Sequence, residues 1–198
     1  MTTSPEHPAD ASTEHAEATD ENGRRRALAS AVVDLERHAA AAGWDGPVTV
    51  CALVNTAAAL AQNPGLADEI PPEALTAAGL DGHHLLTIEQ DGLPEAANLE
   101  ELLAQLAWPD SVDGAAVVVE RIVVPPEAEA DLPADPSQQL ETLLAHPGRE
   151  DVRIAVGVLR SGETWCALRS RAHDADDQVA GSPDAVPGLV AALTATLA

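Results

Sequence analysis

Lysine, phenylalanine and tyrosine are absent from this chain of 198 residues, and tryptophan occurs three times. Without lysine there is no P-loop lysine and no Schiff base, which removes ordinary pyridoxal-phosphate chemistry. The patterns GxxxxGK[ST], GxGxxG, GxSxG, HExxH and CxxC are missing as well. No apolar run approaches the ~20 residues of a membrane span, and the opening MTTSPEHPADASTEH lacks the basic and apolar segments of an export signal. Two cysteines, Cys51 and Cys166, stand far apart in apolar runs. With no export signal, they read as buried free thiols of a cytoplasmic protein.

Positive charge is scarce too. All ten bases are arginine against 33 acids, for a net charge of −23. Such a surface repels phosphate backbones and anionic lipid heads, so neither nucleic acid nor a membrane is an expected partner. Arginine-only basicity and 40 alanines mark a GC-rich genome, so the low aromatic content carries no functional message. The larger aliphatics, Leu, Ile and Val, number 44, and none lies in residues 1–22. That segment cannot offset its ordering entropy by burial and reads as a disordered acidic tail. Residues 23–198 are left as a single domain.

Periodicity then places the elements. Leu28, Val32, Leu35 and Ala39 recur at helical spacing before Gly43. Val48–Val54 reads as a strand, and Thr56 as the cap of a short alanine-rich helix. Residues 64–82 allow a turn or two of helix among prolines, and His84–Gln90 a second strand. Asn98-Leu-Glu-Glu101 is a capping-box start for a helix with Leu99, Leu102, Leu103 and Leu106 buried. Ala115–Val124, apolar on both parities, reads as a central strand covered on both faces. After an acidic connector at 125–133 comes a helix from Asp135-Pro136. Val152–Arg160 and Thr164–Arg171 flank Ser161-Gly162, which reads as a two-residue hairpin. An acidic loop over 172–184 precedes a closing helix at 187–197. The order α-β-α-β-α-β-α-β-β-α lacks glycine-rich strand–helix joints. An α+β fold is therefore expected, with about five strands in a mixed or antiparallel sheet and helices packed on it.

Candidate chemistry is thin. His173–Asp177 is the densest set of ligand-type residues, but as a calcium loop from Asp174 it has Val179 and Ala185 where Gly and Glu are required. No metal and no cofactor are expected. Six of the ten arginines fall in 121–171. Alternation puts Trp165, Arg169 and Arg171 on one strand face, a combination suited to an anchoring surface, with internal salt bridging as the alternative. The two-residue turn would set Val158 against Trp165 and Ile154 against Arg169. Both faces of that hairpin are apolar, and alanine-rich helices would cover them poorly, so a homodimer through the sheet is expected.

Four blocks, VVDLERHAAAAGWDGP (32–47), ALVNTAAALAQNP (52–64), LEELLAQLAWPDSVDGAAVVVERIVVPPEAEADLP (99–133) and HPGREDVRIAVGVLRSGETWCALRSRAHDADD (146–177), resemble a family of acidic, alanine-rich actinobacterial proteins with no assigned activity. The likeness spans roughly residues 27–198 and implies no catalytic or ligand residues. The element order without 56–79 and 98–107 is also similar to the small acidic secretion-chaperone fold, a likeness of topology alone. The expected function is therefore a non-enzymatic, cytoplasmic protein-binding or adaptor role, chaperone-like, with a protein partner or self-association. The alternative is an enzyme or small-molecule binder using the Arg169/Arg171 face and the Asp174–Asp177 loop.

Overall fold

The computed structural model describes residues 8–125, 127–128, 132–133 and 135–198, with side chains from Glu17 onward, Pro136 and Ser137 apart. Its framework is one six-stranded antiparallel sheet in the order β2-β1-β3-β4-β5-β6. The strands are β1 (Thr49–Asn55), β2 (Leu85–Glu89), β3 (Gly114–Val123), β4 (Glu150–Leu159), β5 (Thr164–Ser170) and β6 (Ala180–Ser182). The helices are α1 (Pro8–Ala42), α2 (Thr56–Gln62), α3 (Pro72–Leu80), α4 (Leu99–Ala104), α5 (Pro136–Ala145) and α6 (Pro187–Ala195). The fold is α+β, and the strand order makes β3 and β4 central, as the unbroken apolar run of β3 requires.

α1 lies on one face of the sheet, chiefly over β4 and β5, and α4 and α6 cover the other. Beneath α1 the sheet presents Cys51, Leu53, Ala116, Val118, Ala155 and Ala167 to Ala27, Leu28, Ala31 and Val32. A Cβ built at Gly157 would stand 2.5 Å from Val32 Cγ2 and 2.9 Å from Leu28 Cδ1, so the helix approaches the sheet where a side chain is missing. On the opposite face Val117, Val119, Ile154, Val156, Val158 and Cys166 pack with Leu102, Leu103, Leu193 and Leu197. Both hairpin faces are thus covered within one chain. The reason for expecting a sheet-mediated homodimer falls with that, because α4 and α6 supply leucines rather than alanines to the core.

Several local expectations are corrected. α1 begins at Pro8, so residues 8–22, read as irregular tail, are helical. Arg24 and Arg25 reach back one turn to Asp20 and Glu21, and His83 Nε2 lies 3.4 Å from Asp20. Such i,i+4 pairs extend a helix already nucleated by the packed segment that follows. Residues 1–7 of the tail lie outside the described residues, as do 126, 129–131 and 134 of the acidic connector and its end. Asn55 rather than Thr56 caps α2, accepting from Ala58 N at 2.8 Å, while the Thr56 hydroxyl pairs with His84 Nδ1 at 2.8 Å. Asn98 does cap α4, accepting from Glu101 N at 2.8 Å. The acidic loop over 172–184 holds a further edge strand, β6.

The β4–β5 register is the correction with the widest effect. The loop has three residues, Arg160-Ser161-Gly162, closed by Leu159 N donating to Glu163 O (2.9 Å) and Gly162 N donating to Leu159 O (3.0 Å). Gly162 takes a φ of 104°, which favours glycine and suits the last position of a three-residue hairpin. Trp165 therefore pairs with Gly157, Ala167 with Ala155, and Arg169 with Arg153. Ile154, Val156 and Val158 go to the other face, with Cys166 and Leu168.

Candidate functional site: a charged cluster and a cavity at the C-terminal end of helix α1

The corrected register lines up charges. Glu120 on β3 pairs with Arg153 on β4, which pairs with Arg169 on β5. All three share the α1 face, and Glu36 of α1 comes down between the two arginines. Arg153, Arg169 and Glu36 are each no more than 2% exposed. Two guanidinium groups side by side on adjacent strands repel, so the buried carboxylate is what allows the pair. Arg169 donates through Nε and Nη2 to the two Glu36 oxygens (2.7 and 2.8 Å), through Nη2 to Asp176 (2.7 Å), and through Nη1 to the Asp174 carbonyl and carboxylate (3.1 and 3.4 Å). That uses every N–H the side chain has. The carboxylate of Glu36 holds the Arg169 guanidinium firmly protonated, its pKa raised above the ordinary value against the opposing effect of burial.

Two residues on, just past β5, Arg171 pairs with Asp45 (2.7 Å) and Asp151 (3.3 Å). Its hydrogen bond holds the Asp45 carboxyl below the usual range. The indole of Trp44 spans both rows: Arg153 Cζ lies 4.4 Å from the ring centroid and Arg171 Cζ 5.2 Å. Its Nε1 donates to Asp174 at 2.9 Å. The Arg153 Nη2 donates to the carbonyl of Gly43 just past α1, so a buried cation closes the helix C-terminus.

Of the anchoring residues expected from alternation, Arg169 and Arg171 are thus engaged in internal ion pairing, and Trp165 is a packing residue. Trp165 is half-buried, its ring against Gly181 of β6 and its Nε1 without a hydrogen-bond partner. The Asp174–Asp177 loop folds onto Arg169 and Trp44. Among the described residues, no group of three or more His, Cys, Asp or Glu is placed to hold a metal ion.

Beside the cluster the chain leaves space. α1 ends in alanines and the strands below carry short side chains, so a cavity of about 570 Å³ opens between them. Leu35, His38, Ala39 and Ala42 of α1 form its roof, Cys51 and Val118 its floor, and Thr49, Thr87, Glu89 and Arg153 its edges. Its size falls in the range of small-molecule sites. Arg153 borders it with almost no exposed surface, its guanidinium turned into the charged cluster. Its Nε and Nη2 bind Glu120 (3.2 and 2.8 Å), but Nη1 is buried without a hydrogen bond, its nearest carboxylate Glu36 Oε1 at 3.6 Å. A buried charged donor left unbonded is costly and rare. Cys51 offers no nucleophile in return: burial, with Glu89 adding to it, pushes its thiol up to about 12.

Sequence reasoning missed Arg153, Glu36, Trp44 and His38 as cavity or cluster residues. Parity alone placed Arg153 on the same strand face as Asp151, and a three-residue loop would have set it against Arg169.

An antiparallel sheet with a long N-terminal helix on one face, two short helices on the other and a cavity beneath the long helix defines an α+β protein. The chain belongs to the PPA1309-like protein family, whose model matches residues 28–198. No curated protein and no solved structure matches the chain significantly. Among the described residues, no helix is long and apolar enough to cross a membrane.

Proposed function

We propose that the protein is a non-enzymatic binding protein whose ligand enters the cavity between α1 and the sheet. The observation that carries this reading is the cavity of about 570 Å³ left beneath the alanine-rich end of α1, with Leu35, Ala39 and Val118 in its lining. A ligand seated there would cover Val118, Leu35 and Ala39 at once. The thiol of Cys51 stays protonated, which favours binding over nucleophilic chemistry. A thermal-shift screen of uncharged fragments against the wild type and Ala39→Phe tests the reading. Stabilising fragments should exist, and the phenyl group placed in the cavity should abolish their effect. Fragments that stabilise both proteins equally would overturn it.

A protein partner, the role expected from composition, has a separate observation in its favour. Leu140 and Leu144, one turn apart on α5, are 52% and 48% exposed, and Val123 at the end of β3 is 40% exposed. Apolar side chains gathered on one helix stripe suit a partner surface. If this stripe mediates self-association, light scattering at tens of micromolar should show a dimer that Leu140→Glu with Leu144→Glu dissolves. A single-chain mass in the wild type sinks that version.

A further inference from the structure

We infer that two copies of this chain join edge to edge through β2, antiparallel about a two-fold axis at Thr87, to make one continuous sheet. The inference goes beyond the cavity reading and does not depend on what fills the cavity.

The two edges of the sheet differ. β6 has three residues and runs into Pro183, so it offers little to a further strand. β2 has five, Leu85-Leu-Thr-Ile-Glu89, with neither proline nor lysine to blunt it. α3, which leads into β2, packs on α2 instead of along the strand. Two bonds bracket the β1–β2 pairing, Thr56 N to His84 O (3.0 Å) and Gln90 N to Val50 O (2.9 Å). They turn the even-numbered residues of β2 toward β1. The N–H and C=O groups of Leu85, Thr87 and Glu89 therefore face outward, and no described residue bonds them. A mostly apolar edge left open in this way is a template for another strand.

The strand fits a second copy of itself. Outward groups must meet outward groups, and centring on Thr87 sets Thr87 against its counterpart and Leu85 against Glu89 of the second copy. That register forms the most bonds that three residues a side allow. On the face of α4 and α6, Ile88, 43% exposed in the single chain, then lies against Leu86 of the second copy. On the α1 face, Glu89 comes beside Leu85 of the second copy, and Leu85 shares a cleft with Arg26 of α1. Among the described residues, neither Glu89 nor Arg26 has an ion-pair partner. The two acids of that cleft are occupied, Asp34 by Arg37 (2.9 Å) and Asp81 by His83 N (2.9 Å). Two-fold symmetry makes the match twice, with Glu89 of each copy facing Arg26 of the other. The α1–sheet cavity reaches Thr87 and Glu89 on this edge strand, so the second copy also adds a wall to it.

Sedimentation equilibrium of the full chain tests this, at physiological salt to screen the net charge of −23. A dimer is expected at tens of micromolar. Thr87→Pro should leave single chains with an unchanged circular dichroism spectrum, because that N–H is not used within the chain. Glu89→Arg should weaken the dimer about tenfold, as two exposed ion pairs turn repulsive. General repulsion between acidic chains would give the opposite sign, since this substitution lowers the net charge. Arg26→Glu should weaken the dimer comparably, and the two together should restore wild-type affinity. A single-chain mass in the wild type, or a dimer that survives Thr87→Pro, overturns the inference. If Thr87→Pro does not fold, the charge exchange decides, and a double variant no tighter than either single one overturns the inference. A dimer that Leu140→Glu with Leu144→Glu dissolves and Thr87→Pro keeps also overturns it, and assigns association to α5. The fragment screen against Ala39→Phe stands or falls separately.

Discussion

The two faces of the sheet solve the same burial problem with different materials. Under α4 and α6 the strands present Val117, Val119, Ile154, Val156 and Val158, and the helices answer with leucines. The polar bond from Trp108 Nε1 to Thr196 Oγ1 (2.9 Å) sits at the margin of that apolar core. Under α1 the strands present Cys51, Ala116, Ala155, Gly157 and Ala167, and the helix comes close. Close approach has two results. The helix end meets the sheet near buried arginines, which need Glu36, and the alanine-rich last turns leave a cavity where bulk would otherwise lie. The first face is a stabilising core. The second holds the buried charges and the space.

The largest expected effect is on the α1 face. Glu36→Gln should cost about 3–5 kcal/mol, because it leaves Arg153 and Arg169 facing each other with less compensation. Urea unfolding monitored by circular dichroism measures this. Adding Arg169→Met to Glu36→Leu should recover much of the loss, since an apolar replacement of a buried pair is often near neutral. Loss without recovery would mean that the cluster is held by packing rather than by charge.

On the other face Leu193→Ala should cost about 2–4 kcal/mol through transfer and cavity terms. No second-site change of charge should rescue it. If the two substitutions couple strongly, the faces are not independent, whereas sites this far apart ordinarily add.

Ala39→Leu should be tolerated within about 1 kcal/mol, because it fills existing space instead of overpacking. A loss of 2 kcal/mol or more would show that the space under the last turns of α1 is smaller than it looks.

The smallest effect is in acid. Glu163 is buried, which raises its pKa, but hydrogen bonds from Ser161 and from Arg24 at 2.5 Å outweigh burial and hold it below the ordinary range. Asp176 is held low by Arg169. A depressed carboxyl contributes stability that is complete above its unfolded pKa and is lost as pH falls through its folded one. Stability should therefore decline below about pH 4. In Glu163→Gln that decline should be shallower, as denaturant midpoints between pH 6 and pH 3 will show.

The framework was legible because its signals are periodic. The helix over Leu28–Ala39, the capped start at Asn98 and the central strand at Ala115–Val124 all stand where spacing puts them, and the α+β class follows. The segment at 8–22 misled because composition reports burial, and a helix anchored downstream can propagate through alanine and charge beyond its packed residues. The site was hidden by one residue of loop. Arg169 was singled out from its strand alternation, but a two-residue turn sets Ile154 against it, and Arg153 then falls on the opposite face. Glu36 sits amid apolar helix positions and looks like a solvated charge until the sheet beneath it is known to carry two arginines. Trp44 and the cavity depend on how the chain leaves α1 through Gly43 and Asp45, both at positive φ, and no local pattern announces that path.

The loop Arg160-Ser161-Gly162 also bears on how this chain tolerates insertion and deletion. Surface loops usually absorb the loss of a codon with little consequence, since only connection length changes. Here the loop can shorten to two residues with Leu159 still across from Glu163, and Arg169 stays opposite Arg153. Removing one residue of β5 itself, between Glu163 and Arg169, is different: it would turn the rest of the strand over, carrying Arg169 into the aliphatic layer and Leu168 into the place beside Arg153. Among lineages of this family, the stretch from Glu163 to Arg169 should therefore keep its length, while the residues of the loop drift.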